Sequence, residues 1–332
     1  MALNQLQGTL KWCDSKIKMK KNLIIFFCTF ALLLASHAIS FGQQYPVFTQ
    51  YYFNELVINP AYAGNHVQLS TTATYRNQWV NFPGAPRTFS FSTHTALYKN
   101  KMGIGLLVNT DKIGSYNNQN VYAQYAYKLH FHKATLSMGL QAGFNFLGVD
   151  FSKLDLLNPG DPSFASLNEF KPNFGAGLFY SKENFFIGFS IPFILNNSIG
   201  SLESVVEEIR EARYYFLRGG TIIPINPKKT VKLNPSLLVR SQEGQPLSVD
   251  LNLGFIIHDA VNIGGAWRSG DAFITFIDLK ISESFHFAYS YDWTGSDIQL
   301  FSNGSHEFTL NYRAKITQAQ RNTTCPAYYF YR

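Results

Sequence analysis

Residues 134–147 read ATLSMGLQAGFNFL. Leu136, Met138, Leu140, Ala142, Phe144 and Phe146 alternate there with Thr135, Ser137, Gly139, Gln141, Gly143 and Asn145. A period of two places the first set on one side of a β-strand and the second on the other. The pattern returns at 247–257, where Leu247, Val249, Leu251, Leu253, Phe255 and Ile257 alternate with Ser248, Asp250, Asn252 and Gly254. Such segments run to about ten residues, whereas the mean soluble strand has about five or six. Working outward, the alternation predicts fourteen strands, at 67–79, 87–98, 102–110, 119–129, 134–147, 173–181, 184–191, 213–223, 231–240, 246–257, 260–268, 272–280, 284–293 and 305–313. Three of them (102–110, 213–223 and 272–280) alternate poorly.

The connections carry a second signal. Linkers after even-numbered segments are short, as at 99–101, 130–133 and 181–183, whereas several after odd-numbered ones are long: 111–118, 148–172, 192–212 and 294–304. Short turns on one side and long loops on the other mark an outer-membrane barrel. An even strand count leaves both chain ends on the short-turn, periplasmic side. In hydrocarbon every backbone N–H and C=O must be paired, so the sheet has to close, with its apolar face to lipid and its polar face to the lumen. Tyr125, Tyr127, Tyr289, Tyr291, Trp293 and Tyr312 fall where interfacial girdles would sit. A large soluble β-sandwich or propeller shares the alternation but explains neither the strand length nor the loop asymmetry. The expectation is therefore an all-β, transmembrane antiparallel barrel of about fourteen strands.

Composition agrees. Of 332 residues only 15% are charged while 16% are aromatic, against about 25% charge in ordinary soluble domains. This excludes disorder and argues against a nucleic-acid binder. The formal charge of +7 overstates the case, because Lys11, Lys16, Lys18, Lys20 and Lys21 against Asp14 place four of those charges before residue 43. That leader contains Met19-Lys20-Lys21, an apolar run Leu23–Ala35 broken at Thr29, and Ser40 and Gly42 before a cut at Gln43. It has the form of a secretory signal peptide beginning at Met19. With Cys13 and Cys28 removed, Cys325 remains alone, so no internal disulfide is expected. The domain organisation expected is a leader (1–42), an N-terminal arm (43–66), a barrel (67–313) and a periplasmic tail (314–332).

The arm, QYPVFTQYYFNELVINPAYAGN at 44–65, lacks strand alternation and would either plug the lumen or rest below the barrel. The tail ends in CPAYYFYR, and its aromatics require a burial partner. In the loop 192–212, Leu202, Val205, Val206 and Ile209 are spaced for one face of a short helix that could dock a partner. Arg76, Lys128, Asp250, Asp278, Lys280 and Arg313 fall on the lumen face, where a filling ion-pair network is favoured over a lined water path.

Catalytic chemistry finds little support. His94 with Ser90 or Ser92, and His306 with Ser305 and Glu307, are the visible hydrolase candidates. Ser92 and His94, two apart on a strand, stand about 7 Å apart, and His306 faces away from Ser305 and Glu307. There is no GxSxG elbow, HExxH, calcium loop or paired-cysteine site, and His130-x-His132 is the one close histidine pair. Gly103 and Gly105 belong to a strand rather than a phosphate loop. No enzyme activity, metal or cofactor is expected.

A resemblance is carried by INPAYAGN (58–65), YRNQWVNFPGAPRTFSFS (75–92), GIGLLVNTDKIG (103–114), PNFGAGLFYS (172–181), FFIGFSIPFIL (185–195), YDWTGSD (291–297), NGSHEFTLNYR (303–313) and CPAYYF (325–330). Their order and spacing resemble the PorP/SprF family of Bacteroidetes outer-membrane proteins, from Gln44 to Arg332. The closing CPAYYF departs from that family's pattern of CP, a basic residue and then aromatics. The resemblance implies a place in type IX secretion and gliding motility. Family members are barrels that secure or deliver one cognate exported surface protein through its C-terminal region, and some face the periplasmic ring of the machine. The motif positions carried over are Asn59, Pro60, Ala61, Tyr62, Gly64, Arg76, Trp79, Pro83, Gly84, Pro86, Gly304, His306 and Glu307. The partner-binding candidates are Leu202, Val205, Val206 and Ile209 on the loop, and Cys325, Pro326, Tyr328, Tyr329 and Phe330 on the tail. The alternative is a passive diffusion channel.

Overall fold

The computed structural model describes residues 47–66, 68–150, 167–199, 209–210 and 212–314. Among these, fourteen long strands follow one another: β1 (Leu69–Asn77), β2 (Arg87–Leu97), β3 (Met102–Ile113), β4 (Tyr116–His130), β5 (Ala134–Val149), β6 (Leu167–Lys182), β7 (Phe185–Ile191), β8 (Tyr214–Thr221), β9 (Val231–Gln242), β10 (Ser248–Ile257), β11 (Val261–Arg268), β12 (Ala272–Lys280), β13 (Phe285–Thr294) and β14 (Ser305–Ala314). Each pairs antiparallel with its sequence neighbours, and β1 pairs with β14 from Leu69↔Ala314 to Asn77↔His306, so the sheet closes into a fourteen-stranded cylinder. A two-residue strand, Ile223–Pro224, extends the β8 edge onto β9.

The two faces of the cylinder differ chemically. Along β1, Ser70, Thr72, Thr74 and Arg76 are buried inside; along β2, Thr88, Ser90, Ser92 and His94 are. Outside, Leu140 is 63% exposed and Phe174 51%. A wall of such residues around the whole sheet exceeds any apolar patch a monomer keeps in water, and hydrocarbon is the solvent that suits it. Tyr125, Tyr127, Trp293 and Tyr312 are exposed outward, as the girdle requires. No helix among the described residues is long and apolar enough to cross a membrane; here the strands do so.

The fourteen predicted strands are all present, but some limits move. The expected long loop at 111–118 is a two-residue turn, Gly114 and Ser115, with Gly114 at φ +55. β3 and β4 stay paired out to Ile113↔Tyr116, and β6 begins at Leu167, inside the expected loop 148–172. Hydrophobic alternation ends where the lipid ends, whereas hydrogen-bonded pairing continues into water on polar residues such as Asn117 and Asn118. Ile209 pairs with Ile199 as a strand residue, so the expected helical face does not extend to it. Leu202, Val205 and Val206, the tail with Cys325, Pro326, Tyr328, Tyr329 and Phe330, and the leader lie outside the described residues.

Candidate functional site: the filled lumen and the far rim

Residues 47–66 run inside the barrel and touch all fourteen strands. Two 3₁₀ turns, Glu55–Val57 and Pro60–Tyr62, shape this arm. Pro60 opens the second turn, where a missing N–H is harmless. The Asn59 side chain caps it, with Oδ1 accepting from Ala61 N (2.9 Å) while Nδ2 donates to the Leu178 carbonyl of β6 (3.0 Å).

Polar contacts radiate from the arm to the wall. Asn54 Nδ2 donates to Ser90 Oγ (2.9 Å) and Ser92 Oγ donates to Asn54 Oδ1 (2.6 Å). Gln124 Nε2 reaches the Leu56 carbonyl (2.9 Å), Ser190 Oγ that of Ile58 (2.5 Å) and Ser137 Oγ that of Ala61 (2.6 Å). Lys128 donates to the Gly64 carbonyl, and Gly64 N donates to His94 Nδ1 (3.1 Å). Glu55 pairs with Arg218 of β8, and Tyr52 OH donates to Asp278 of β12 (2.9 Å). The arm's carbonyls and amides would be orphaned in a dry lumen, and the inward side chains supply their partners.

Apolar packing holds the other flank. Phe48, Tyr51, Val57 and Ile58 cluster with Leu107, Tyr122, Phe193, Tyr214, Phe216 and Leu238. Leu56, Ala61, Tyr62 and Ala63 cluster with Ala126, Phe179 and Phe186. Phe276 of β12 meets the Tyr52 ring at 5.9 Å between centroids. The three strands that alternate poorly in sequence, β3, β8 and β12, thus carry apolar side chains on both faces, one for lipid and one for the arm. This signal was present in the sequence and reads as weak periodicity.

Glycines reserve the space. A Cβ on Gly103 would lie 1.9 Å from the Ala63 carbonyl oxygen, one on Gly139 2.1 Å from Ala61 N, and one on Gly177 2.1 Å from Asn59 Oδ1. Gly64, at φ +67, lies backbone to backbone against Gly103. The strand glycines are therefore a mould for the Asn59-Pro60-Ala61-Tyr62-Ala63-Gly64 turn.

Toward the rim opposite the chain ends, three arginines and four carboxylates form a buried network. Arg76 bonds Asp292 (2.7 Å) and Glu307 (3.1 Å), and Arg268 bonds Asp250 (3.2 Å), Asp292 (3.3 Å) and Asp271 (3.3 Å). Arg240 bonds Asp250 (3.0 Å). The excess negative charge falls on the arm: Thr49 N and Gln50 N donate to Glu307 (2.8 and 2.7 Å), and Thr49 Oγ1 donates to Asp292 (3.0 Å). Of the inward charges expected from sequence, Arg76, Lys128 and Asp278 bond the arm, and Asp250 bonds Arg240 and Arg268 of the wall. Lys280 pairs with Glu283 (2.8 Å), and Arg313 Nε donates to Asn311 Oδ1 (2.8 Å). At the chain-end mouth, His66 bonds Tyr62 OH (3.1 Å), and burial, with Arg313 nearby, holds its imidazole well below the usual histidine range.

The hydrolase candidates find other partners. Ser90, Ser92 and His94 hold the arm. His306 lies on the outer face, its Nδ1 2.8 Å from Tyr289 OH, while Glu307 faces inward. His130 bonds Thr135 Oγ1 (3.1 Å) and the Asn100 carbonyl (2.9 Å).

Trp79, Pro83, Gly84 and Pro86 belong to the far-rim loop between β1 and β2. Trp79 N donates to Ser305 Oγ (3.1 Å), Val80 N to the Gly304 carbonyl (2.9 Å) and Gly114 N to that of Gly84 (2.9 Å). The loop walls a cavity of about 370 Å³ that Arg87 and Lys112 also line.

Solved structures with a similar course include the CymD monoaromatic hydrocarbon channel (10% identity, 84% of this chain and 96% of that one, TM-score 0.49). The TodX deltaS2S3 mutant channel aligns at 8% identity over 77% and 92% (TM-score 0.43), and the NanC porin at 10% over 75% and 100% (TM-score 0.39). No curated protein sequence matches. The family model for the type IX secretion system membrane protein PorP/SprF matches residues 40–312. The closed, lipid-faced cylinder is of the outer-membrane kind, and the outer membrane is where the protein resides. The chain belongs to the PorP/SprF family of type IX secretion system membrane proteins.

Proposed function

We propose that the protein is a non-enzymatic surface platform of type IX secretion, which anchors or helps deliver one cognate exported surface protein through that protein's C-terminal region. The observation that carries this reading is the arm: its contacts with every strand leave the barrel a rigid frame rather than a conduit for polypeptide. The strand ends Val149, Leu167, Ile191 and Tyr214 lie on the rim away from the chain ends, and the long stretches of sequence that join them would offer the outward binding surface, with Leu202, Val205, Val206 and Ile209 among its candidates. The tail with Cys325, Pro326, Tyr328, Tyr329 and Phe330 would meet the periplasmic machinery. A passive diffusion channel, the second reading, is disfavoured by the same filled lumen.

Deleting the gene should release one surface protein into the medium while other exported proteins are displayed normally. The measurement is a comparison of cell-surface and medium proteomes. Unchanged display of every surface protein would count against the anchor, and loss of all exported proteins would point instead to a general export role.

A further inference from the structure

Arg87 and Lys112 take no part in the lumen. They are register partners on β2 and β3. Their neighbours Thr88 and Asp111 face inward and bond each other at 2.5 Å, so Arg87 and Lys112 face outward. Like charges directly opposite across antiparallel strands repel, and neither cation has an acidic partner among the described residues. A bridging anion would convert that repulsion into a binding site.

Position along the strand sets the depth. Tyr289, Phe308, Tyr75 and Phe89 succeed one another across β13, β14, β1 and β2 as cross-strand partners on the outer face. Such an aromatic row marks the membrane interface. The next outward row toward the far rim runs Tyr291, His306, Asn77, Arg87 and Lys112. Arg87 stands two residues beyond the outward Phe89 toward the far rim, about 7 Å along a tilted strand and about 5 Å in height, which brings it and its partner Lys112 to the level of lipid headgroups. With short turns and chain ends on the periplasmic side, that headgroup layer belongs to the outer leaflet.

The recess is built in advance. Besides the bonds to Ser305, Gly304 and Gly84, Asn303 N donates to the Val80 carbonyl (2.9 Å), and Trp79 and Asn81 are held at φ 47 and 73. Non-glycine residues held in this region are strained and persist only where surrounding contacts fix them. The pinned loop sets Phe82 and Pro83 beside the two cations around the same cavity.

We propose that this recess seats a phosphate of an outer-leaflet glycolipid. The arginine fork would take two phosphate oxygens and the lysine would add a point charge, with Phe82 and Pro83 lying along the sugar or acyl portion. An outward position just above the aromatic row favours a lipid over an acidic segment of a protein partner, which would approach from above the rim.

The test uses the full-length protein in zwitterionic detergent, with bisphosphorylated lipid A, the same lipid stripped of phosphate, inorganic phosphate and an acidic peptide as probes. Native mass spectrometry reads retention, and thermal unfolding reads the linked stability. Lipid A should be retained about tenfold better than its dephosphorylated form, and the R87Q/K112Q variant should abolish the difference. Without lipid, that variant should melt at or above the wild type, because the repulsion is gone; with lipid A the order should reverse. If the double variant does not fold, Lys112→Gln alone, at an exposed position, carries the comparison. Equal retention of both lipids, or by wild type and variant, overturns the proposal. So does binding of inorganic phosphate or of the peptide without lipid A.

Discussion

Replacing Gly139 by valine is expected to drive the arm from its seat and to make a sealed barrel conduct. The new Cβ would lie 2.1 Å from Ala61 N and 2.4 Å from both Ala61 Cα and the Pro60 carbonyl carbon. All three are backbone atoms, so no rotamer change relieves the overlap. Ordinary overpacking costs about 1–3 kcal/mol, and a backbone clash on this scale stands at the upper end or beyond it. The β-sheet can survive the change, since Gly139 retains its pairing with Ala126 and Gly177, so the 3₁₀ turn at Pro60–Tyr62 should move instead. Gly219→Ala is the control, because its Cβ would meet only the Phe186 carbonyl, at 3.5 Å. Single-channel recording should show openings for Gly139→Val and none for Gly219→Ala. Two silent variants would mean that the arm yields without leaving.

Arg76→Ala is expected to be the most destabilising single change in the charged network. Arg76 is 1% exposed, and its guanidinium serves Asp292, Glu307 and Thr49 Oγ1 at 2.7, 3.1 and 3.0 Å. Removing it leaves two buried carboxylates, with Arg268 remaining for Asp292 and the arm's amides for Glu307. Breaking a buried pair from one side costs about 3–5 kcal/mol. The measurement is the urea midpoint of the folded, heat-modifiable form. Arg76→Met combined with Glu307→Gln should recover part of the loss, because the second change removes the stranded charge; strict additivity of the two single effects would show that they do not interact.

The same chemistry explains what the sequence made legible. The cylinder was readable because lipid imposes one rule on every second residue of every strand, and the rule survives in Leu136 to Phe146 and in Leu247 to Ile257. Strand ends were less readable, because Asp111–Asn118 leaves the lipid and so loses its hydrophobic rhythm while keeping its hydrogen bonds. The place of the arm was not readable from the arm itself, whose partners lie as far away as Glu307 in the chain. It was inscribed instead on the wall, in the inward Leu107, Phe216 and Phe276 that blur the alternation, and in the inward Gly103, Gly139 and Gly177. The motif positions fell into two groups that spacing alone does not separate, with His306 apart from both on the outer face. Asn59 to Gly64, Arg76 and Glu307 build the filled lumen, whereas Trp79, Pro83, Gly84, Pro86 and Gly304 shape the far rim.

Planar-bilayer recording of the full-length wild-type protein tests the central claim most directly, namely that the barrel's own N-terminal arm occupies its lumen. The filled barrel should insert without a steady current, and the Gly139→Val form should conduct under the same conditions. Large, stable openings from the wild type in the absence of any partner would contradict the account and favour a solute channel.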